Sequence, residues 1–478
     1  MTRRRDFLKA ALGGGVYIAS ASILSRRAFA KATNRRDNSS SPWDAVPGIL
    51  ARIKPPKFRD RDFDITEFGA VGDNKTDCTE AFSKAIAACG SKHGGRVVVP
   101  KGEFLTGAIT LKSNINLYVS EGATLRFSRD PAKYPVVFTR YEGTELMNYS
   151  PFIYAFEQQN LAITGQGTID GNADCENWWP WAGGMRCGRQ DPAHTLTKDR
   201  NLLHGMAERG VPVSERVFGP GHYLRPQFIQ PFRCKNILIE GVTLLNSPMW
   251  QVTPALSTNV TVQGLTIHST GPNTDGCDPD SCSDVLIKDC TFSTGDDCIA
   301  IKSGRNADGR RLHTPSENIV IQGCHMKDGH GGVTLGSEIT GGVRNVFAED
   351  CQMDSPNLDM AIRIKNNAMR GGDIEDMYVR NVKVGQVANA GVAIDFYYEE
   401  GENGNYTPIV RNVDIRSLDV GKAKYALYLR GFKKAPIQDI RLADCNFENI
   451  ASPNVIENVE GLSLDNVRVN GQPMTSNG

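Results

Sequence analysis

The sequence predicts an all-β chain wound into a parallel β-helix, and three observations carry that expectation. The first is length without division. The 478 residues are too many for one ordinary globular core, yet no Pro/Ser-rich linker splits the second half. A solenoid escapes the difficulty, because it grows by adding rungs and not by enlarging its core. The second is an internal repeat. Windows of nine residues starting at Asn236, Asn259, Asp284, Asn318, Asn345, Asp376 and Asp439 read NILIEGVTL, NVTVQGLTI, DVLIKDCTF, NIVIQGCHM, NVFAEDCQM, DMYVRNVKV and DIRLADCNF. Each opens on Asn or Asp, alternates apolar residues, bends at Gly, Asp or Asn, and resumes with apolar positions. That pattern is two short strands joined by a turn. The third is an apolar strand that follows each window after a connection of variable length, as in Cys298-Ile299-Ala300-Ile301 and Ala361-Ile362-Arg363-Ile364. Short strands repeated at a period of tens of residues, with variation confined to one connection, mark a β-helix. The windows are rich in β-branched residues and lack a helical period, which sets aside a helical or leucine-rich repeat.

The elements follow in chain order. Residues 1–30 read as an export leader: Arg4-Arg5-Asp6-Phe7-Leu8-Lys9 is a twin-arginine pattern, an apolar stretch follows, and Ala28-Phe29-Ala30 is a small-residue cleavage site. Residues 31–60 are polar and read as a loose lead-in. The solenoid is expected over 61–472. Thr79 to Cys89 spaces its apolar residues as a short amphipathic helix, suited to closing the open N-terminal end. An insertion at about 171–231 breaks the rhythm and carries Trp178, Trp179, Trp181, Arg186, Arg189, His222, Tyr223 and Arg225. It reads either as a packed surface loop or as a wall over a cleft. Tyr397-Tyr398 and Gly401 to Tyr406 are candidates for an opposite wall.

Without residues 1–30 the chain has 48 basic and 53 acidic residues, a net charge of −5. No basic footprint for nucleic acid is expected. No apolar run is long enough to span a bilayer, so the mature chain is expected off the membrane, in the periplasm or secreted, and as a monomer. Of twelve cysteines, none has zinc-site spacing. Cys290, Cys324, Cys351 and Cys445 hold one equivalent repeat position and read as stacked core residues. Cys277 and Cys282 flank a tight loop and could bridge.

The connections between windows carry the chemistry. They supply Asn273-Thr274-Asp275, then Asp296-Asp297, then Gly329-His330-Gly331, and the next strand adds Arg363-Ile364-Lys365. Asp275, Asp296, Asp297 and His330 lie at offsets of 16, 12, 13 and 12 from their window starts, and so near one corner of successive coils. Rungs stack at about 4.8 Å. An Asp in a Gly-containing turn is ordinary when alone. Three carboxylates on neighbouring rungs repel, and such crowding raises at least one pKa at a cost in stability. Arg363 and Lys365, two apart on one strand, project to one face.

The combination N-T-D, D-D, G-H-G and R-I-K, in that order on such repeats, resembles glycoside hydrolase family 28, the polygalacturonases. The resemblance runs from about Phe63 to about Val469. It implies a right-handed parallel β-helix and inverting hydrolysis of α-1,4-linked galacturonate, with a pectic polysaccharide or oligogalacturonide as partner and no metal or organic cofactor. It implies Asp296 as general acid, Asp275 and Asp297 as the pair that activates water, and His330 as the residue tuning the acid's protonation. Arg363 and Lys365 would hold a substrate carboxylate, and Asn273, Lys302, Arg225 and Tyr397 are further candidates for substrate contact. A wall closing one end of the cleft would favour exo action. A hydrolase on rhamnogalacturonan or another decorated pectin, a calcium-dependent pectate lyase on the same fold, and a non-catalytic carbohydrate-binding β-helix are the alternatives.

Overall fold

A computed structural model describes residues 41–184, 186–188 and 190–475. The leader read at 1–30 lies outside these residues, as does Arg189. From Ala45 onward the chain forms one compact unit. Its repeat is a coil of three short strands. In one coil these are Ser283–Lys288, Thr291–Thr294 and Ile299–Ile301. Every strand pairs in parallel with its equivalents on the rungs before and after, the terminal Arg468–Val469 with Gln472–Pro473 and the hairpin described below excepted.

The alternation in the sequence sets the register. Leu117, Ile163, Ile239, Val262, Ile287 and Ile321 face one another on consecutive rungs of the first wall and are almost fully buried. Slipping one residue would turn this whole column outward, so burial fixes the pairing. The third wall repeats the device, with Ile229, Val252, Cys277, Ile299, Val333 and Ile362 in one column.

The residue that opens each window takes a left-handed backbone, with φ of 55–58° at Asn160, Asn236 and Asn259. Asn tolerates this conformation because its short polar side chain bonds locally. Here the amides form a ladder along the axis: Asn160, Asn236 and Asn259 each donate from Nδ2 to the Oδ1 of the Asn one rung back, over 2.8–3.0 Å.

The helix Thr79–Ser91 buries Ala81, Phe82, Ala85, Ile86 and Cys89 against the first rungs, as its spacing predicts. In its described part, residues 41–60, the lead-in is not loose. Val46–Arg52 is helical, and the segment after it is tied to the ladder. Arg52 pairs with Asp284 at 2.7 Å, the amide of Lys54 donates to Asn259 Oδ1, and Asn259 returns a bond to the Lys54 carbonyl. Farther on, the Arg61 carbonyl accepts from Arg96. Residues 52–61 thus run along the outside of several rungs. Two apolar anchors, Ile49 and Ile53, were the overlooked signal; both are buried.

Two other features depart from expectation. Cys175 and Cys187 form a disulfide inside the insertion, whereas Cys277 and Cys282 are separate buried thiols. Cys277 stands in the inward third-wall column and Cys282 directs its sulfur to the Pro254 carbonyl, so the two point apart. Cys290, Cys324, Cys351 and Cys445 are free and buried, in the stacked core position the repeat assigns them. An antiparallel hairpin, Val136–Tyr141 with Thr144–Tyr149, also interrupts the coils and is largely buried.

Candidate active site

Parallel bridging of Cys277 to Ile299 and Ile299 to Val333 fixes the corner. Counting back two residues sets Asp275 opposite Asp297 and Gly331. Counting back three sets Thr274, Asp296 and His330 in the next column. The carboxylate oxygens of Asp275, Asp296 and Asp297 come within 4.8 Å of one another. Asp275 and Asp297 are buried and Asp296 is partly exposed, so the cluster opens to solvent through Asp296.

Each carboxylate has a different environment. Asp297 Oδ2 accepts from Lys365 Nζ at 2.6 Å, and its Oδ1 accepts from Arg363 Nη1 at 3.2 Å and Thr334 Oγ1 at 3.1 Å. Burial works to raise its pKa, but the charges of Lys365 and Arg363 outweigh burial and lower it. Asp296 Oδ1 meets His330 Nδ1 at 3.0 Å. Burial again works upward, but the hydrogen bond and charge of His330, with Lys365 and Lys302, hold Asp296 well below the usual carboxylate range. His330 is raised in return to about 9 by that hydrogen bond. Asp275 goes the other way: burial first, then the Asp296 charge, push it well above the usual range. Its Oδ1 lacks a hydrogen-bond partner, and Lys302 stands 3.5 Å from its Oδ2.

Asp297 and Asp296 are thus held toward the ionised form, His330 toward the charged form and Asp275 toward the protonated form. The three carboxylates titrate as one set. They are compact enough to share a cation, but Lys365, Arg363 and Lys302 already balance their charge.

The further candidates for substrate contact occupy different surroundings. Lys302 is buried, lies over the Trp250 ring at 4.1 Å, and pairs with Glu338 at 3.2 Å as well as with Asp275. It is a buried counter-ion to these carboxylates. Arg225 is fully buried and bonds the carbonyls of Pro248 and Pro272 and Asn273 Oδ1. It holds the turn that presents Asn273, whose Nδ2 lies 3.5 Å from Asp296 Oδ2. Tyr397 packs on Phe432 and Arg430, whereas its neighbour Tyr398 lies by Arg363 and Lys365, with ring centroid distances of 5.6 and 5.2 Å. Tyr398 was half-visible in the Tyr-Tyr pair; nothing in one sequence says which of two adjacent residues turns toward the strand before.

Sequence reading missed Asp278 and Glu338. Asp278 is fully buried beside Lys302 at 4.0 Å, with neither oxygen hydrogen-bonded.

The insertion divides its labour. Trp178 belongs to the core, packed on Tyr134, Phe152 and Trp181. Trp179 bonds the Ser247 carbonyl and covers Gly271 so closely that a Cβ there would meet its ring at 2.2 Å. Arg186 reaches Gly295, next to Asp296, where an added Cβ would lie 2.7 Å from Nη1. The Cys175–Cys187 bridge pins this stretch. The insertion leaves the solenoid after Asp170, whose rung precedes those of the cluster; Trp179 and Arg186 stay beside that side of the cluster, while the helix Leu196–Glu208 reaches on to Glu142, Arg310 and Glu399.

A parallel β-helix with three aspartates on adjoining rungs, edged by paired Arg and Lys, is the architecture of a polysaccharide hydrolase. The comparisons agree. The model of glycosyl hydrolases family 28 matches residues 221–467, and the chain belongs to that family. A second model, described as rhamnogalacturonase A/epimerase, pectate lyase-like, matches residues 63–125. The chain is 44% identical to a solved hyperthermoactive exopolygalacturonase from Thermotoga maritima, covering 91% of this chain and 97% of that one with a TM-score of 0.88. It is 31% identical to a probable polygalacturonase of Vitis vinifera over 84% of this chain and 77% of the relative. It is 26% identical to an exo-poly-α-D-galacturonosidase of Dickeya chrysanthemi over 94% and 79%. The protein is a glycoside hydrolase with the right-handed β-helix of these enzymes.

Proposed function

We propose that the enzyme hydrolyses α-1,4-galacturonosidic bonds of polygalacturonate from a chain end. The observation that carries this is the pairing of the aspartate cluster with Arg363 and Lys365. A polyuronate brings a carboxylate to every ring, and Arg363 and Lys365 at the edge of the cluster are the groups that can receive one. The wall of Trp179 and Arg186 on the N-terminal side supports exo action, since it blocks one end of the cleft, and the similarity to the Thermotoga exopolygalacturonase agrees.

Asp297, ionised by Lys365 and Arg363, activates the attacking water, with buried Asp275 holding that water on its other side. Asp296 protonates the leaving oxygen. In the free enzyme the contact with His330 favours the ionised form of Asp296. A galacturonate carboxylate arriving at Arg363 and Lys365 adds negative charge next to Asp296 and draws cationic charge away from it. Both raise its proton affinity, and His330 supplies the proton across their 3.0 Å contact. The cluster's span is shorter than the roughly 6.5–9.5 Å usual for inversion. Proton NMR of the first turnover decides: β-galacturonate as first product means inversion, and α-galacturonate would transfer the Asp297 role to a nucleophile.

Product sizing on polygalacturonate tests the whole proposal. One small product from the start is expected. An early ladder of oligomers overturns exo action, and an unsaturated, ultraviolet-absorbing product overturns hydrolysis. Residues 1–30 direct twin-arginine export, and a disulfide at Cys175–Cys187 suits an oxidising destination. Replacing Arg4 and Arg5 by Lys should leave uncleaved enzyme in the cytoplasm; normal export would sink that assignment.

A further inference from the structure

Beyond the cluster, the outward face of the third wall continues toward the C-terminus with a second cationic and aromatic patch. The register places it. Arg363 pairs with Ala393, and Ala393 with Tyr428; Lys365 pairs with Asp395, and Asp395 with Arg430. Tyr428 and Arg430 therefore stand in the columns of Arg363 and Lys365, two rungs or about 10 Å farther along. The strand Tyr425–Arg430 alternates as the repeat requires: Leu427 and Leu429 point inward, Tyr428 and Arg430 outward. The intervening rung places Ala393 in the first column and Asp395 in the second, and Tyr398, farther along the same segment, carries the aromatic surface on beside Arg363 and Lys365.

The patch is built for a sugar acid. Arg430 lies over the Tyr397 ring at 4.5 Å and donates from Nη1 to the Tyr428 hydroxyl at 3.2 Å. Tyr425 packs beside Tyr428 at 5.4 Å. Tyr397 is 36% exposed, one of few large apolar side chains left so open. Arg430 also donates to Glu457 at 3.2 Å and lies 4.0 Å from Asp395. It is thus already placed to hold a carboxylate, and the Glu457 side chain is half exposed and displaceable.

We propose that Tyr428, Arg430 and Tyr397 form a distal subsite that binds a galacturonate ring of the chain still to be cut. The proposal rests on the pectin reading above and extends it. With Trp179 and Arg186 standing beside the cluster on its N-terminal rungs, the uncut polymer leaves over the C-terminal rungs and crosses this patch. Its carboxylate takes the place of Glu457 on Arg430, and its ring lies against tyrosine faces.

The test is kcat/KM across galacturonate oligomers, from the shortest one cleaved to the polymer. Tyr428→Ala and Arg430→Gln should lose about tenfold on long chains and stay within about twofold on the shortest. Tyr428→Phe should retain most long-chain activity. Glu457→Gln should act oppositely, lowering KM for long chains alone by removing the competing carboxylate. An unchanged length dependence, or equal losses at every length, overturns the subsite. A parent enzyme that cleaves no oligogalacturonate overturns the pectin reading itself, and the subsite with it.

Discussion

Asp275 is a carboxylate kept from water, with Oδ1 unbonded and its pKa pushed well up by burial and by Asp296. A buried acid whose folded pKa exceeds its unfolded value contributes stability at low pH that is lost as pH rises. Asp275→Asn removes that burden, and Lys302 keeps Glu338 as partner. The variant should gain roughly 1 kcal/mol in urea unfolding near neutral pH while turnover falls by about 10²-fold or more. A less stable variant would show that the carboxylate is held for the fold. The His330 pair works in the opposite sense. The imidazole, raised to about 9, contributes its stability fully below about pH 6.5 and loses it as pH rises through 9. The ring should titrate near 9 by proton NMR, and near 6.5 in Asp296→Asn. Asp296→Asn should also lower kcat by ~10²–10⁴-fold. Unchanged turnover would remove the acid role. These environments were only partly legible. The order of motifs exposed the trio and its cations, but which aspartate keeps the proton depends on distances that no motif encodes.

At the scale of elements, the insertion and the lead-in were read least well. Their residues lack the repeat, so no register constrains them. The insertion is held by its disulfide, by Leu196, Leu203, Phe218 and Leu224 packed with Tyr141, Leu146, Met249 and Trp250, by the buried Arg216–Asp308 pair, and by contacts such as Trp179 on Gly271. Gly271→Ala should push Trp179 off its seat and open the wall, raising the share of longer products on polygalacturonate. A variant that still releases one small product would locate exo control elsewhere. The lead-in helix is anchored by Ile49, 3% exposed. Ile49→Ala should cost about 2–4 kcal/mol. Loss of protection in 46–54 alone under hydrogen exchange would mark it as a local clasp, and protection lost across neighbouring rungs would mark it as a brace.

For the whole molecule, stability is distributed along rungs that contact only their neighbours. The same stacking that buries Ile287 on Ile321 carries Asp275 to Asp297 and Arg363 to Asp297, so fold and site are one geometric fact. The sequence by itself determined the solenoid, its inward columns and the corner where the carboxylates meet, because strand alternation has a fixed period of two and a repeat multiplies the signal at every rung. Tertiary structure alone decided what the irregular chain does. It made Lys302 and Arg225 internal, turned Tyr398 toward the cluster in place of Tyr397, joined Cys175 to Cys187, and laid residues 52–61 against the asparagine ladder. Those outcomes turn on contacts between segments of unrelated sequence, where burial and charge select the partner after the rungs have formed and no periodic pattern records it in advance.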